Sequence, residues 1–186
     1  MRNRSSFLFK VKEFIFLILL VAIDQASKYW AKNYLQGHSE KSILPMILSF
    51  EYLEGGNTGA AWGIFSGNLS FLLFFNLLIV VALFVFLFYL HQKQTCMQFD
   101  IIVNKKINYL RYLIILLIAG ALGNIIDRIR LGYVIDFITF KFISFPIFNV
   151  ADCFVVISAF LLLLFLIFGL KEEELETIFS KKEKKH

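Results

Sequence analysis

Four long apolar segments dominate the hydrophobic pattern of the chain. They cover residues 14–35, 69–90, 109–126 and 154–170, and each holds 17 to 22 residues. About 20 residues of α-helix span the hydrocarbon core of a bilayer. The segments are apolar on every side over most of their length, whereas the helices of a soluble bundle alternate apolar and polar faces. The pattern therefore predicts four membrane-spanning helices.

The first segment resembles a signal peptide in one respect, because basic residues precede it. It is long for a signal peptide, and no Ala-x-Ala-like cleavage site follows it, so we expect a retained membrane anchor. The composition agrees with a membrane protein. Of the 186 residues 59% are hydrophobic, Phe occupies 23 positions, and the mean hydropathy is +0.72.

Lysine and arginine are distributed unequally between the two sides of the predicted helices. One side carries Arg2, Arg4, Lys10, Lys12, Lys93, Lys105, Lys106, Arg111, Lys171, Lys181, Lys182, Lys184 and Lys185, and the other Lys28, Lys32, Lys41, Arg128, Arg130 and Lys141. The positive-inside rule therefore places both termini in the cytoplasm. The net charge of +5 is explained by this asymmetry and needs no nucleic-acid partner. The basic tails are suited to contact anionic membrane lipids.

Two loops then face outward, at about residues 36–68 and 128–148, and both contain strand-like patterns. Residues 47–53 carry aromatic side chains two positions apart, and residues 134–142 are rich in β-branched and aromatic types. We therefore expect an all-α polytopic membrane protein with four transmembrane helices and a small β-rich cap outside the membrane. Residues 1–186 form a single domain, in which 171–186 are expected to be a solvated cytoplasmic extension.

Asp24 and Lys28 lie in the outward half of the first helix. They are four residues apart and so share a helix face. A carboxylate at this depth is unfavourable unless it is paired and turned inward. We favour a structural ion pair that orients the helix. The alternative, that the two residues belong to a functional site, stays open.

The segment 57–62, Asn-Thr-Gly-Ala-Ala-Trp, follows a glycine turn. Its small residues allow the backbone to approach a partner closely. Two interpretations are equally supported. The segment is either a turn that re-enters the interface with Trp62 as an aromatic anchor, or a site in which Asn57 binds the backbone of a substrate.

The third helix ends in polar residues. Gly120, Asn124 and Asp127 fall on one helical face, while Asp127 and its neighbour Arg128 point to different sides. Glycine in a membrane helix usually permits close packing against another helix. We interpret this face as a polar packing seam.

Asp136 stands among β-branched and aromatic residues in an extended segment, where a carboxylate is unusual. Desolvation there disfavours the charged form and raises the pKa of the acid. Groups perturbed in this way mark functional sites more often than scaffolding. We therefore interpret Asp136 as a functional residue.

Asn149 and Asp152 begin the fourth helix. Helix capping explains both, with Asn149 as the N-cap and Asp152 in the first turn, where a helix favours an anion. Capping does not explain the second carboxylate, Asp136, 16 residues upstream. We predict that Asp136 and Asp152 form a dyad that shares a proton. One acts as base on a water molecule, and the other polarises the scissile carbonyl.

Other catalytic chemistries have little support in the sequence. His38, His91 and His186 are scattered, as are Cys96 and Cys153, and none shows metal-ligand spacing. We therefore expect no metal site. No Ser–His or Ser–Lys arrangement is credible, because His38 lacks an acidic and nucleophilic framework.

Five motifs, in this order, resemble those of the lipoprotein signal peptidase family, also called signal peptidase II. They are Asp24-Gln-x-Ser-Lys28, Asn57-Thr-Gly-Ala-Ala61, Gly120-Ala-Leu-Gly-Asn124-x-x-Asp127-Arg128, Val134-x-Asp136-Phe137 and Phe148-Asn149-x-Ala151-Asp152. The resemblance covers about residues 14–170. Two mild departures are Ala119, where the family often has glycine, and Trp62, where it often has Phe.

The resemblance implies an aspartic endopeptidase with a β-cradle on its outer face. Its substrates would be bacterial prolipoproteins, cleaved on the N-terminal side of the diacylglyceryl-modified lipobox cysteine. It further implies inhibition by globomycin and no cofactor. Catalysis would belong to Asp136 and Asp152, with Asp24 and Lys28 in structural roles. Substrate-binding or supporting residues would be Asn57, Gly59, Asn124, Asp127, Arg128, Asn149 and Ala151. We expect a monomer in the bacterial inner membrane with its site at the outer leaflet.

A protein of another class, a small transporter or an assembly factor, would use Asp24 and Asp127 to relay protons. Such a protein is expected to carry polar residues through the middle of the bilayer. Here the polar residues cluster at the outer helix ends, and the helix centres are nearly bare. The pattern favours a hydrolase at the membrane interface.

Reporter fusions test the predicted orientation. Fusions after residues 65 and 140 are expected to behave as exported, and a fusion after residue 98 as cytoplasmic, because basic loops stay on the cytoplasmic side. A cytoplasmic readout at residue 140 would contradict the prediction of a hydrolase outside the membrane.

Overall fold

A computed structural model describes residues 2–59, 68–97 and 99–179, with side chains from Lys10 onward. The helices are α1 (Arg2–Leu35), α2 (Leu69–Cys96), α3 (Ile101–Leu131), α4 (Val150–Leu164) and α5 (Glu172–Phe179), and the strands are β1 (Lys41–Leu44), β2 (Leu48–Phe50) and β3 (Ile138–Phe140). A π-helical turn, Phe165–Gly169, extends α4. Within the described ranges, four helices are long and apolar enough to cross a membrane. This architecture confirms the predicted fold class.

Helix α3 is the central helix of the bundle and packs against α1, α2 and α4. In the apolar stretch of α3 that could cross a membrane, 56% is buried inside the protein, against 11% in the corresponding stretches of α2 and of α4. The outer helices expose large apolar side chains, among them Phe14, Leu77, Val85 and Phe160. Apolar surface of this extent is stable in lipid rather than in water, since every backbone polar group within a helix is already paired.

The helices are longer than the apolar segments that predict them. Helix α3 begins after Asp100, whose carboxylate accepts the Val103 amide at 2.7 Å, several residues before the apolar segment starts. Helix α2 likewise continues to Cys96. Polar turns at these helix ends remain helical because their backbone hydrogen bonds do not depend on lipid. The bilayer determines the apolar segment, whereas capping residues determine the helix ends.

The strands form one antiparallel sheet in the order β1-β2-β3. Strand β2 pairs with β1 on one side and with β3 on the other, with Ser49 opposite Ser42 and Thr139. The predicted extended segments 47–53 and 134–142 thus contain β2 and β3, but the regular strands are shorter, and β1 was not foreseen. Because the α1–α2 and α3–α4 connections both contribute strands, the sheet lies over one end of the helix bundle.

A small aromatic core attaches this cap to α1. Trp30 meets Phe50 and Phe137 edge-on, with ring centroids 5.3 and 6.1 Å apart. Beneath them Leu35 and Tyr52 are buried. Edge-to-face rings and buried apolar area fix the cap rigidly enough to position side chains that it carries.

Residues 172–179 correct the prediction of a solvated C-terminal extension. They form α5, which packs against the C-terminal end of α2 and the N-terminal end of α3, with Ile178 fully buried. Phe179 stacks on Phe86 at 6.1 Å, and Lys106 Nζ lies 2.6 Å from Glu174 Oε2. The prediction was wrong because a single helical turn of apolar residues is easily hidden among charged neighbours. Residues 180–186 of the predicted extension lie outside the described part of the chain.

The docking of α5 depends on Ile178. We expect Ile178→Ala to weaken the docked state by about 2–5 kcal/mol, as buried isoleucine truncations do, and to speed hydrogen exchange of the α5 backbone. Glu176→Ala, which alters an exposed side chain of the same helix, is the control. Unchanged exchange in the Ile178 variant would show that α5 does not rest on this contact.

Candidate active site

Asp136 is held between the cap and the helices, with only 1% of its surface exposed. Each carboxylate oxygen accepts a side-chain amide. Asn149 Nδ2 donates to Oδ1 at 2.6 Å, and Asn57 Nδ2 donates to Oδ2 at 2.8 Å. The carboxyl group is therefore fixed in rotation by two residues from different parts of the chain.

Asp152 lies in the first turn of α4 and forms a capping box with Asn149. The Asn149 backbone amide donates to Asp152 Oδ2 at 3.1 Å, and the Asp152 amide donates to Asn149 Oδ1 at 3.0 Å. This confirms the predicted N-cap. A further bond does not belong to capping, because Asn124 Nδ2 of α3 donates to Asp152 Oδ1 at 2.8 Å.

Asn124 and Asn149 join the two carboxylates, and Asn57 binds the other oxygen of Asp136; we call these three residues the asparagine network. Asn149 Nδ2 bonds to Asn124 Oδ1 at 3.1 Å as well as to Asp136. Asp136 and Asp152 thus accept hydrogen bonds from amides that are bonded to each other. The structure brings the two aspartates of the predicted dyad into one site.

Asn57 reaches Asp136 because a tight turn precedes it. Gly56 has a φ of +68°, and a Cβ atom there would lie 2.0 Å from the Tyr133 ring, so only glycine fits. The Asn57 backbone then exchanges two 2.9 Å hydrogen bonds with Val134. The Asn57 side chain holds Asp136, a role that neither of the two interpretations of segment 57–62 included. Residues 60–67, with Trp62, lie outside the described ranges.

Lys28 occupies the centre of the polar cluster beneath the dyad and is 1% exposed. Its Nζ lies 3.0 Å from Asp24 Oδ2 and 3.0 Å from Asp127 Oδ2, and it donates to Asn124 Oδ1 at 2.9 Å. The predicted Asp24–Lys28 ion pair is confirmed. Its environment is richer than the sequence indicated, since Lys28 also bonds to Asp127 and to the asparagine network.

Asp24 also anchors α4, because its Oδ1 accepts the Ala151 amide at 2.9 Å. Close approach of α1 to α3 makes this possible. A Cβ atom at Gly123 would lie 2.4 Å from Asp24 Oδ2, so any larger residue would displace the carboxylate. Ala151 therefore acts through its backbone, at a helix N-terminus that favours the nearby negative charge.

Asp127 joins α3 to the cap, which agrees with the interpretation of its helix face as a polar packing seam. Its Oδ2 accepts the Ile135 amide at 3.2 Å, and its Oδ1 accepts Gln25 Nε2 at 3.0 Å. Gln25 is a member of the site that was not named as a site residue. Its place beside Asp24 in the first motif was the available signal.

Arg128 points away from Asp127, as predicted, and donates from Nη2 to the Gly59 carbonyl at 2.8 Å. It is 6% exposed. This bond fixes the backbone just after Asn57. All the site residues that the sequence predicted, from both the catalytic and the supporting sets, lie in one hydrogen-bonded neighbourhood at the cap end of the bundle. Among the described side chains, no group of three or more that could hold a metal occurs.

The electrostatics of Asp136 are unusual for a carboxyl group. Burial, and then the negative charge of Asp152, raise the pKa of Asp136 to about 7, against the smaller opposing effects of Asn57, Asn149 and Lys28. This direction agrees with the prediction from its apolar neighbours. Asp136 thus changes its protonation state close to neutral pH, which suits a group that exchanges protons during catalysis.

Two solved structures have the same fold. Both are described as bacterial membrane enzyme structures obtained by the in meso method, at 2.3 and 1.9 Å resolution. The first is 30% identical, with a TM-score of 0.66, and the alignment covers 94% of either chain. The second is 31% identical, with a TM-score of 0.67, and covers 86% of this chain and 94% of that one. The fold and the buried carboxylate site define the class, a polytopic membrane enzyme.

Sequence comparison gives the family. The model of the family described as signal peptidase (SPase) II matches residues 16–168. The lipoprotein signal peptidase of Clostridium tetani is 38% identical over 158 residues, which cover 83% of this chain and 92% of that protein. That of Streptococcus agalactiae serotype Ia is 39% identical over 153 residues, covering 81% and 88%. The chain belongs to the signal peptidase II family, peptidases that process the signal peptides of prolipoproteins.

The raised pKa of Asp136 predicts a pH dependence of stability. A carboxyl group whose pKa is higher in the folded state stabilises the fold below its ordinary value of 3.8, and this contribution is lost as pH rises through about 7. As pH rises from 3.8 to about 7, we expect the Tm of Asp136→Asn in detergent to increase relative to the Tm of the wild type. Above that interval the difference between the two Tm values should stay constant. A constant difference within the interval would contradict the raised pKa.

Proposed function

We propose that the chain is an aspartic endopeptidase that cleaves prolipoproteins on the N-terminal side of the diacylglyceryl-modified lipobox cysteine. Asp136 and Asp152 are the catalytic pair. The observation that carries the proposal is their shared hydrogen bonding. Both carboxylates are buried or half-buried and accept amides of the same asparagine network.

The environments of the two aspartates support different roles for them. Asp136 has a raised pKa of about 7 because of burial and the charge of Asp152, so it holds the proton of the resting pair. Asp152 lies at the N-terminus of α4, where the helix dipole stabilises an anion by about 0.3–1 kcal/mol at partly exposed positions. A carboxyl group with a raised pKa, next to a carboxylate at a helix N-terminus, suits an acid and a base that act together.

Proton transfers then follow in order. Asp152 takes a proton from a water molecule while the water oxygen attacks the scissile carbonyl carbon, and protonated Asp136 gives its proton to the carbonyl oxygen. This forms a neutral tetrahedral diol and leaves the proton on Asp152. Collapse of the diol breaks the C–N bond, Asp152 protonates the departing amine, and Asp136 recovers a proton from a diol hydroxyl.

The position of the site suits a substrate that is anchored in lipid. The dyad lies where the cap meets the ends of apolar helices, so it is level with one membrane surface. An acyl chain contributes about 0.8 kcal/mol of membrane binding per buried CH₂. A diacylglyceryl group held beside the helices would therefore place the adjoining peptide bond at the dyad. The distribution of basic residues supports the outer surface of the inner membrane as the location of the dyad.

A cleavage assay tests the proposal directly. Purified wild-type protein in detergent is offered a prolipoprotein peptide with a diacylglyceryl-modified cysteine, and the same peptide without lipid. We expect cleavage before the cysteine of the lipidated peptide and little or none of the other, because the latter lacks the membrane anchor. Equal turnover of both peptides would refute the lipid requirement.

Three variants separate catalytic from structural carboxylates in the same assay. Asp136→Asn and Asp152→Asn keep the shape of the site but cannot cycle a proton, so each should abolish cleavage while abundance and Tm stay near normal. Asp24→Asn should instead lower abundance more than turnover per folded molecule, because Asp24 binds Lys28 and the Ala151 amide. If either dyad variant keeps substantial activity, that assignment fails, and Asp127 is the next candidate.

A further inference from the structure

Lys28 makes a contact that a structural ion pair does not explain. An ammonium group has three N–H donors. At Lys28 these donors meet three acceptors on two helices, namely Asp24 of α1 and Asp127 and Asn124 of α3. Two of the acceptors neutralise charge. The third acceptor, Asn124, carries no charge and donates a hydrogen bond to Asp152 of the dyad.

The contact with Asn124 determines how the amide of that residue is oriented. Its Oδ1 faces an ammonium, which can only donate, and its Nδ2 faces Asp152 Oδ1, which accepts. A flipped amide would place N–H groups against the Lys28 ammonium and an oxygen against the carboxylate, so both contacts would be repulsive. Lys28 therefore selects the orientation in which Asn124 donates to Asp152.

The same oxygen transmits this constraint to the other aspartate. Asn124 Oδ1 also accepts Asn149 Nδ2, and that nitrogen donates to Asp136 Oδ1. With the Asn124 oxygen fixed by Lys28, the Asn149 amide has one orientation that satisfies all its partners. Both carboxyl groups of the pair are thus oriented from one buried cation, through two amides.

We propose that Lys28 is a positioning residue for the catalytic pair, which orients both aspartates through Asn124 and Asn149 and whose positive charge keeps the pair from holding a second proton. This inference rests on the proposed function of Asp136 and Asp152. Lys28 itself touches neither aspartate of the pair in the contacts above, so it is not a catalytic residue.

The charges around the pair support the electrostatic part of this role. Burial and Asp152 raise the pKa of Asp136, whereas the charge of Lys28 lowers it. Arg128 is a second cation that interacts with Asp136, and it also interacts with Asp152. Asp24 and Asp127 face Lys28 from α1 and α3. Loss of the Lys28 charge removes one of the effects that oppose protonation of Asp136.

Four variants test the role. Lys28→Gln removes the charge, and Asp24→Asn/Lys28→Gln removes it together with one carboxylate, so that fewer buried charges are left uncompensated if the single variant folds poorly. Lys28→Arg keeps the charge. Lys41→Gln removes an exposed lysine of β1 on the same side of the membrane and is the matched control.

The first readout does not need catalysis. Infrared difference spectroscopy follows the C=O band of protonated Asp136 against pH, with Asp136→Asn identifying the band. We expect its midpoint to rise by about one pH unit in both Lys28→Gln proteins and to stay near the wild-type value in Lys28→Arg and Lys41→Gln. An unmoved midpoint in a folded Lys28→Gln protein overturns the proposal, and so does failure of both charge-removing variants to fold, because Lys28 would then be structural alone.

The second readout is the pH profile of cleavage. Both limbs should move upward in the Lys28→Gln proteins. The kcat should fall about tenfold or more with KM unchanged, since Lys28 is buried and binds Asp24, Asp127 and Asn124. A loss confined to KM contradicts the proposed role. If Asp136→Asn still cleaves substrate while the infrared midpoint shifts as expected, the proposed function fails and the positioning of the carboxyl pair by Lys28 stands.

Discussion

A buried charge in a membrane protein is stable only when other charges and dipoles replace its water shell. In this molecule the constraint is met around the Lys28 ammonium, which is paired with Asp24 and Asp127 at 3.0 Å each. Satisfying these three charges obliges α1 and α3 to approach closely and ties the start of α4 to Asp24. Much of the arrangement at the cap end of the bundle follows from that requirement. The apolar outer surfaces of the helices are stable in contact with lipid alone.

The polar residues of the candidate site lie at one end of the bundle, and the cap explains why they are buried there. Helices alone would leave Asp152 and Asn124 at a membrane surface open to water. The sheet and the aromatic contacts of Trp30 bring a second chain segment, with Asp136, over these helix ends. Burial under the cap changes the protonation of Asp136, so a structural element with little regular secondary structure has a direct chemical effect.

Much of the fold and the site could be predicted from the sequence, for identifiable reasons. Apolar segments of bilayer length have few other interpretations, and a carboxylate such as Asp136 among β-branched and aromatic residues is conspicuous. What could not be predicted depends on contacts distant in sequence. The bond of Lys28 to Asn124 joins residues 96 positions apart, and the bond of Gln25 to Asp127 joins residues 102 positions apart. Helix α5 was missed because its few apolar residues lie among charged neighbours.

The spacing of Asp24 and Lys28 has a consequence for the order of biosynthesis. Both residues enter the membrane with α1, before Asn124 and Asp127 have been translated. At synthesis rates of about 5–20 residues per second, the interval is roughly 5–20 s. During that time neither residue can find its partners on α3. Because the two are four positions apart on one helix face, they neutralise each other locally. The pair therefore adds no net charge to α1 during insertion and later exchanges part of this pairing for the finished site.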